Sequence, residues 1–259
     1  MNLEILVISL ASAVERRRRV QAQLTRCPVP WAFIDAVRGA ELPAPAPEYD
    51  DRTRLARVGY PMCGGEIGCF LSHRVAWQTC VARGVPTLIL EDDFELLTDL
   101  DNIVALTRRY LPRCDLLRLQ GLQPDAGRVL ERSGNQRLVW ELTDPRGSAG
   151  YVVPPETAAR LLQLSDRFWV AVDDFFARDW EHGLKVLSVW PYPIAVTAAP
   201  STIPDRVKPT LSVWTKLRRE VYRAPDSLRN RAKRAWKRLG PVSLLGVVSG
   251  TFALRRPEP

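Results

Sequence analysis

Thr87-Leu88-Ile89-Leu90-Glu91-Asp92-Asp93 is the stretch on which the fold turns. Four residues suited to a buried strand lead directly into three carboxylates, with Phe94 next. A parallel strand covered on both faces reads as a short unbroken apolar run. In open α/β sheets, ligands collect beyond the carboxyl ends of such strands. Three carboxylates in that position repel one another and lose hydration unless a cation sits among them. A divalent cation carrying a diphosphate answers that need, because hard cations take oxygen ligands and share them with phosphates. The competing reading is an acidic turn at the surface.

Working outward, residues 3–9 read as a first core strand. Ser12 is placed to cap a helix through about Thr25, with Arg16 to Arg19 in its early turns. Residues 31–36 give a second strand, and Glu41 to Asp50, with three prolines, a loop. Gly64-Gly65 opens a helix in which Ile67, Phe70, Leu71 and Val75 follow helical spacing, and Gly84 ends it. Further strands are expected near 115–119, 137–142, 148–153 and 185–190, and helices over 99–111, 155–164 and 172–182. Strands alternating with helices predict an α/β fold: a single domain over residues 1–205 around a mostly parallel central sheet.

The 259 residues, 46% hydrophobic and 25% charged, match an ordinary globular protein. Cys27, Cys63, Cys69, Cys80 and Cys114 are odd in number and lack metal-site spacing, which predicts reduced thiols and a cytoplasmic setting. The start, Met1 to Leu10, lacks a basic leading segment and carries Glu4 inside its apolar run, so it reads as a strand and not a signal peptide. No stretch reaches the roughly 20 apolar residues of a membrane-spanning helix.

The net charge of +8 is unevenly placed. Residues 206–259 carry 14 Lys and Arg against three acids, so +11, and the remainder is −3. Within this tail Trp214, Leu217 and Val221 fall on one helical face; after an expected break at Pro225, Leu228, Ala232, Ala235, Trp236 and Leu239 repeat the design. Residues 206–259 therefore read as a basic amphipathic helical tail suited to an anionic membrane surface, at the inner face of the cell membrane. Two other readings stand beside it: a helix packed on the body with its charges solvated, and an RNA-binding arm, the least favoured.

Several segments together resemble glycosyltransferase family 25. They are Ile8-Ser9-Leu10 followed by Glu15-Arg16-Arg17, then Phe33-Ile34-Asp35-Ala36, Gly65-Glu66-Ile67-Gly68-Cys69-Phe70-Leu71-Ser72-His73, and Leu88 to Asp93. Gly147-Ser148-Ala149-Gly150-Tyr151-Val152-Val153, Val172-Asp173-Asp174 and Ser201-Thr202-Ile203 follow in order. The resemblance implies a GT-A type, Rossmann-like domain, a UDP-linked sugar donor, inversion at the anomeric carbon, and a lipid-linked saccharide acceptor of lipooligosaccharide synthesis. Galactose or glucose is the expected sugar.

On that resemblance, Glu91, Asp92 and Asp93 match the family's acidic metal motif. Asp93 is taken as the direct ligand of Mn²⁺ or Mg²⁺, with Glu91 as a second ligand, and Glu91 or Asp92 as the contact to the donor ribose or a metal-bound water. Such an ion serves as Lewis acid and template for a departing diphosphate. Backbone groups at Ser9 and Leu10 are expected at the uracil, and Arg16 and Arg17 at the nucleotide. Four consecutive arginines on a helix leave at least two solvated. The acid usual before the glycine of the second motif is replaced here by Arg38-Gly39. Glu66 and His73 are assigned to site organisation, and Ser148 and Gly150 to close approach of the donor sugar. Tyr151 is either a sugar-stacking or a core residue. Inversion needs a base near the acceptor hydroxyl. Asp173 is preferred to Asp174, with only one of the pair entering the site; the alternative for either is a first-turn acid favoured by the helix dipole. A non-catalytic nucleotide- or carbohydrate-binding module is the competing function. A phosphohydrolase or nuclease would need more clustered ligands than two distant histidines supply.

Overall fold

The computed structural model describes residues 2–42, 46–123, 127–143, 145–197 and 209–239. The expected boundary at 205/206, the segment Ser201-Thr202-Ile203 and the stretch beyond residue 239 lie outside them. In chain order the elements are β1 (Glu4–Ser9), α1 (Val14–Leu24), β2 (Trp31–Asp35), α2 (Asp51–Arg57), α3 (Gly64–Arg83), β3 (Thr87–Glu91), β4 (Phe94–Leu96), α4 (Leu100–Tyr110) and β5 (Leu116–Arg118). There follow β6 (Gly127–Ser133), β7 (Gln136–Glu141), β8 (Gly150–Val153), α5 (Pro155–Leu164), α6 (Val172–Ala177), α7 (Asp179–His182), β9 (Val186–Trp190), β10 (Ile194–Val196) and α8 (Val213–Leu239).

Eight strands form one sheet in the order β2-β1-β3-β8-β5-β9-β7-β6, and β10 pairs with β4 beside it. The pairings β1–β2, β1–β3 and β5–β9 are parallel, whereas β7 and β8 run against their neighbours, so six of the eight strands point one way. Apolar side chains alternate across the sheet into two cores. Leu6, Ile8 and Ile89 face Phe70, Trp77 and Tyr151 on one side; Ile5, Val7, Leu88 and Leu90 face Val20, Phe94 and Ile103 on the other. Leu88, Ile89 and Leu90 are wholly buried, each contributing about 1.5–3 kcal/mol of transfer free energy. A run apolar on both faces is what a central strand requires.

The register fixes the site. Ser9 lies opposite Asp35, and Ile8 opposite Glu91, so the ends of β1, β2 and β3 finish together at one edge. Gly39 and Gly68 let the loop after β2 press against the start of α3: a Cβ on Gly39 would lie 1.6 Å from the carbonyl oxygen of Gly64, and one on Gly68 would lie 2.5 Å from that of Val37. Gly84, at φ +67, closes α3 in the left-handed conformation as expected.

Several local expectations are corrected. α2 and β6 carry too few apolar residues, and the three-residue β4 and β10 are too short, to be read alone. The helix expected over 172–182 divides at Arg178 into α6 and α7. The break expected at Pro225 is absent, and α8 runs through it for 27 residues. Proline forfeits one backbone hydrogen bond, but the next residue, Asp226, anchors this turn to Arg57 and Arg178 at 2.6 Å each.

Candidate active site

At the tip of β3 the three carboxylates have three different environments. Asp92 is buried. The Ser9 hydroxyl donates to its Oδ2 at 2.7 Å and Arg16 donates to its Oδ1 at 2.7 Å. Both oxygens are thereby engaged, and Asp92 ties β1, α1 and β3 together at the site's edge.

Glu91 receives the Ser148 hydroxyl on Oε1 at 2.6 Å, and His73 Nε2 stands 3.4 Å from the same oxygen, at ion-pair distance. Burial pushes the Glu91 carboxyl up, but His73 and Ser148 outweigh it, and the group is held below the ordinary glutamate range. His73 is itself placed by a chain of buried polar atoms. The Trp77 indole donates to the Tyr151 hydroxyl at 2.8 Å, and that hydroxyl lies 2.9 Å from His73 Nδ1. These contacts hold the imidazole with Nε2 turned toward Glu91. Tyr151 is thus a core residue, 1% exposed.

Asp93 is different. Its Oδ1 is buried without a hydrogen-bond partner. Burial first, then the charge of Glu91, raise its pKa to about 6 despite Arg16. A carboxylate so placed is short of a cation. The oxygen donors of Asp93 and Glu91 fit a hard divalent ion. A second set lies to the side: among the described residues, Cys69, His73 and Glu91 bring ligand atoms within 4.8 Å of one another.

Three of the four arginines of α1 are used. Arg16 holds Asp92; Arg17 donates to the Ser9 carbonyl at 2.8 Å, pairs with Asp35 and lies over the Phe33 ring. Arg19 donates to the Asp92 carbonyl at 2.9 Å and to the Thr197 hydroxyl at 3.2 Å. Only Arg18 is exposed, against the expectation of at least two. Sequence reasoning missed Arg19; the one signal for it is its place three positions from Arg16, on the same helical face. The Ser9 carbonyl also accepts from Ala36 N–H at 2.9 Å, and that of Leu10 from Ala13 N–H at 2.9 Å.

The glycine-rich turn before β8 serves the protein's own packing. Gly147, at φ +83, would bring a Cβ within 2.5 Å of Gln120, and a Cβ on Gly150 would meet Ile194 at 3.0 Å. Gly150 is buried inside β8, so its smallness answers Ile194, whereas Ser148 reaches the site through Glu91. Ser72 has a structural part: its oxygen accepts from Val37 N–H at 2.8 Å and donates to the Gly68 carbonyl at 2.6 Å.

Asp173 and Asp174 open α6 and line a cleft of about 660 Å³ together with Glu66 and Arg118. Both line it, at the start of the six-residue α6. Asp173 Oδ1 accepts from Asp174 N–H at 2.9 Å. Glu66 accepts from Cys63 N–H at 2.9 Å, capping α3. His73 and Glu91 are not on the cleft wall; they are joined to it through Phe176, whose ring packs edge-on to Tyr151 at 4.8 Å. Arg118, on the wall, donates to the Gly147 carbonyl at 3.1 Å, next to Ser148. The cleft and the β3 tip are thus two adjoining compartments.

α8 forms one side of the cleft, a part that the sequence alone did not assign to it. Arg219, Arg223, Asp226, Asn230, Lys233 and Lys237 line it at helical spacing. Lys237 and Asp179, both buried, pair at 2.6 Å, and Trp236 packs edge-on to Trp140 at 4.9 Å. Trp214, Leu217, Val221 and Leu228 are exposed. Among the described residues, no helix is long and apolar enough to cross a membrane, and the five cysteines are free thiols.

A mixed sheet with acids at a strand tip and a neighbouring cleft is an arrangement suited to a nucleotide and its substrate, and sequence comparison gives the family. The profile of glycosyltransferase family 25 (LPS biosynthesis protein) matches residues 2–176. The chain belongs to glycosyltransferase family 25. It is 26% identical over 183 residues to the lipooligosaccharide biosynthesis protein lic2B of Haemophilus influenzae, covering 64% of this chain and 66% of that protein. It is 29% identical over 185 residues to the lacto-N-neotetraose biosynthesis glycosyltransferase LgtB of Neisseria gonorrhoeae, covering 63% and 60%. A human inactive glycosyltransferase 25 family member 3 is 38% identical over 100 residues, 35% of this chain and 16% of that protein. The matched part spans less than two thirds of the length of these relatives. A crystal structure of a Drosophila β-1,4-galactosyltransferase 7 variant with manganese, UDP-Gal and xylobiose superposes with a TM-score of 0.45 and 13% identity, covering 85% of this chain and 80% of that one.

Proposed function

We propose that the protein is a metal-dependent, inverting GT-A type glycosyltransferase that moves galactose or glucose from a UDP-sugar to a lipid-linked saccharide in lipooligosaccharide synthesis. The observation that carries this reading is the buried, unpartnered Asp93 oxygen beside Glu91 at the end of β3. Glu91 and Asp93 would hold Mn²⁺ or Mg²⁺, which when bound supplies Lewis acidity to the leaving diphosphate. Asp92, fixed by Ser9 and Arg16, sets the spacing of its two neighbours. Arg16, Arg17 and Arg19 set positive charge beside the nucleotide. The Trp77-Tyr151-His73 chain fixes Glu91 as an ionised acceptor, and Ser148 holds its orientation. Across the cleft, Asp173 or Asp174 accepts the proton of the attacking hydroxyl.

The test is UDP release from UDP-galactose and UDP-glucose with Mn²⁺. Asp93→Asn should lower turnover by about a hundredfold or more, the scale on which a preorganised electrostatic group acts. Undiminished turnover by this variant would refute the assignment. No turnover by the wild type with any UDP-sugar would favour the second reading, a non-catalytic binding module, which the resemblance to inactive family members keeps in view.

The protein works, on this proposal, attached peripherally to the cytoplasmic face of the membrane. The outward apolar residues of α8 support this: Trp214 is 80% and Leu228 65% exposed, and a surface helix ordinarily turns such residues inward. Leu217→Glu with Trp214→Glu should abolish binding to phosphatidylglycerol vesicles while leaving the melting temperature unchanged. Retained vesicle binding would exclude α8 as the anchor.

A further inference from the structure

The cleft beside Asp173 carries a charge pattern that a neutral saccharide does not explain. Ten of its lining residues are Arg or Lys and six are Asp or Glu. Three of those cations and two of the acids hold α8 in place: Arg57 and Arg178 on Asp226, and Lys237 on Asp179. Beyond these anchors the α8 wall is basic. Arg219 and Arg223 pair with Glu220 of their own helix, which is 60% exposed, a weak and solvent-screened partner. Lys233 lies over the Trp236 ring, and Arg234 has no partner among the described residues. Cations gathered on one side of a concave space repel one another and raise a positive potential within it. From Trp214 to Leu228 the helix leaves its apolar residues exposed, the reverse of the usual surface helix, and Trp236 alone packs inward, on Trp140. Packing of apolar surface therefore does not account for the orientation of that stretch.

We propose that this cleft is an acceptor subsite for a phosphate group, with Arg219 and Arg223, one helical turn apart, as its contacts and the acids of α6 at the sugar hydroxyl. The proposal rests on the transferase reading for the word acceptor, but the phosphate site is measured without donor or metal. The phosphate belongs either to the saccharide itself or to a lipid headgroup, and arginine's planar fork suits both.

Titration calorimetry of the full chain with lactose and with lactose 6′-phosphate tests it. The phosphorylated sugar should bind about tenfold more tightly or better, the scale of one charge-assisted hydrogen bond, with the preference shrinking as salt is raised. Arg219→Ala with Arg223→Ala should remove the preference, and Arg234→Ala, about three turns further along α8, should keep it. None of the three arginines takes part in the Asp226 or Lys237 anchors, so a normal melting temperature is expected. Asp93→Asn should keep the preference, because that residue lies in the donor compartment. Displacement of lactose 6′-phosphate by phosphatidic acid vesicles would identify a lipid headgroup as the source; no displacement would identify the saccharide's own phosphate. Equal affinity for the two sugars in the wild type, including no measurable binding of either, overturns the proposal. So does a preference that survives the double substitution, or one that Asp93→Asn abolishes. If turnover in the UDP-release assay is absent while the phosphate preference persists, the transferase reading fails and the anion site stands.

Discussion

Replacing Asp93 by Asn in the metal-free protein should raise its stability, although the residue is central to the proposed activity. Its carboxyl is raised from 3.8 to about 6 by burial and by the charge of Glu91. A group whose folded pKa lies above its unfolded one contributes stability that is fully present below pH 3.8 and lost as pH rises through about 6. At pH 8 that loss is complete. A shift of about two units at 1.36 kcal/mol each gives about 3 kcal/mol; residual exposure brings the expected gain to about 1–3 kcal/mol. For a chain of this size, that is a rise in melting temperature of very roughly 2–10 °C. Thermal unfolding in EDTA at pH 8 and pH 4 measures it: Asp93→Asn should melt higher than the wild type at pH 8, with the difference shrinking toward pH 4. Adding Mn²⁺ should stabilise the wild type and not the variant, because only the wild type offers the charged oxygen. A variant no more stable than the wild type at pH 8, or stabilised by Mn²⁺ to the same degree, refutes the reasoning.

Asp226→Ala leaves Arg57 and Arg178 without their shared partner and should cost about 1–3 kcal/mol, seen as faster amide exchange along α8. Burial raises the Asp226 carboxyl, but Arg178 and Arg57 win and hold it below the ordinary aspartate range. Its contribution is therefore present above the unfolded pKa and is lost as pH falls through the folded one, so α8 protection in the wild type should decline in strong acid. Tyr151→Phe breaks the chain from Trp77 to His73, leaving a buried indole N–H and an imidazole nitrogen unsatisfied. Denaturant unfolding should register about 1–3 kcal/mol of lost stability, and the His73 Nδ1 NMR signal should shift as its hydrogen-bond partner is lost. Gly68→Ala places a methyl 2.5 Å from the Val37 carbonyl and should lower the denaturation midpoint, by about 1–3 kcal/mol of overpacking strain.

The parts of the fold legible in the sequence are those with a local cause. Leu88 to Asp93 announces a central strand with a polar tip because burial on both faces leaves no room for alternation. Gly84 marks the end of α3 because the left-handed turn there favours glycine. Gly65 to His73 was legible as a motif but not as a mechanism: Gly68 and Ser72 serve the loop after β2, Cys69 and His73 approach Glu91, and Glu66 lines the cleft. Arg19 was hidden by its neighbours, since a run of four arginines does not say which of them meet the carbonyls beyond β3. The edge strand β6, rich in Arg and Glu, lacks the apolar repeat that identifies an interior strand.

The orientation of α8 is the largest departure, and its cause is specific. Periodicity separates an apolar face from a basic one but does not say which of them turns toward the body. That choice rests on Asp226 and Lys237. Asp226 is the single acid in the stripe Arg219, Arg223, Asp226, Asn230, Lys233, Lys237, and it is taken up by Arg57 and Arg178. Lys237 buries its ammonium against Asp179 and the Glu141 carbonyl, 2.8 Å away. Burial lowers the pKa of Lys237 even though Asp179 opposes the shift, so this anchor is held at a desolvation cost. With Asp226 and Lys237 committed to the body, Trp214, Leu217, Val221 and Leu228 are left outward, and Trp236 packs on Trp140. On the proposed membrane attachment, burying Trp214, Leu217, Val221 and Leu228 at a lipid surface would return about 1.5–3 kcal/mol each. One helix would then do two things at once: its outer face would hold the enzyme at the lipid, and its inner face would hold an anionic acceptor within reach of Asp173.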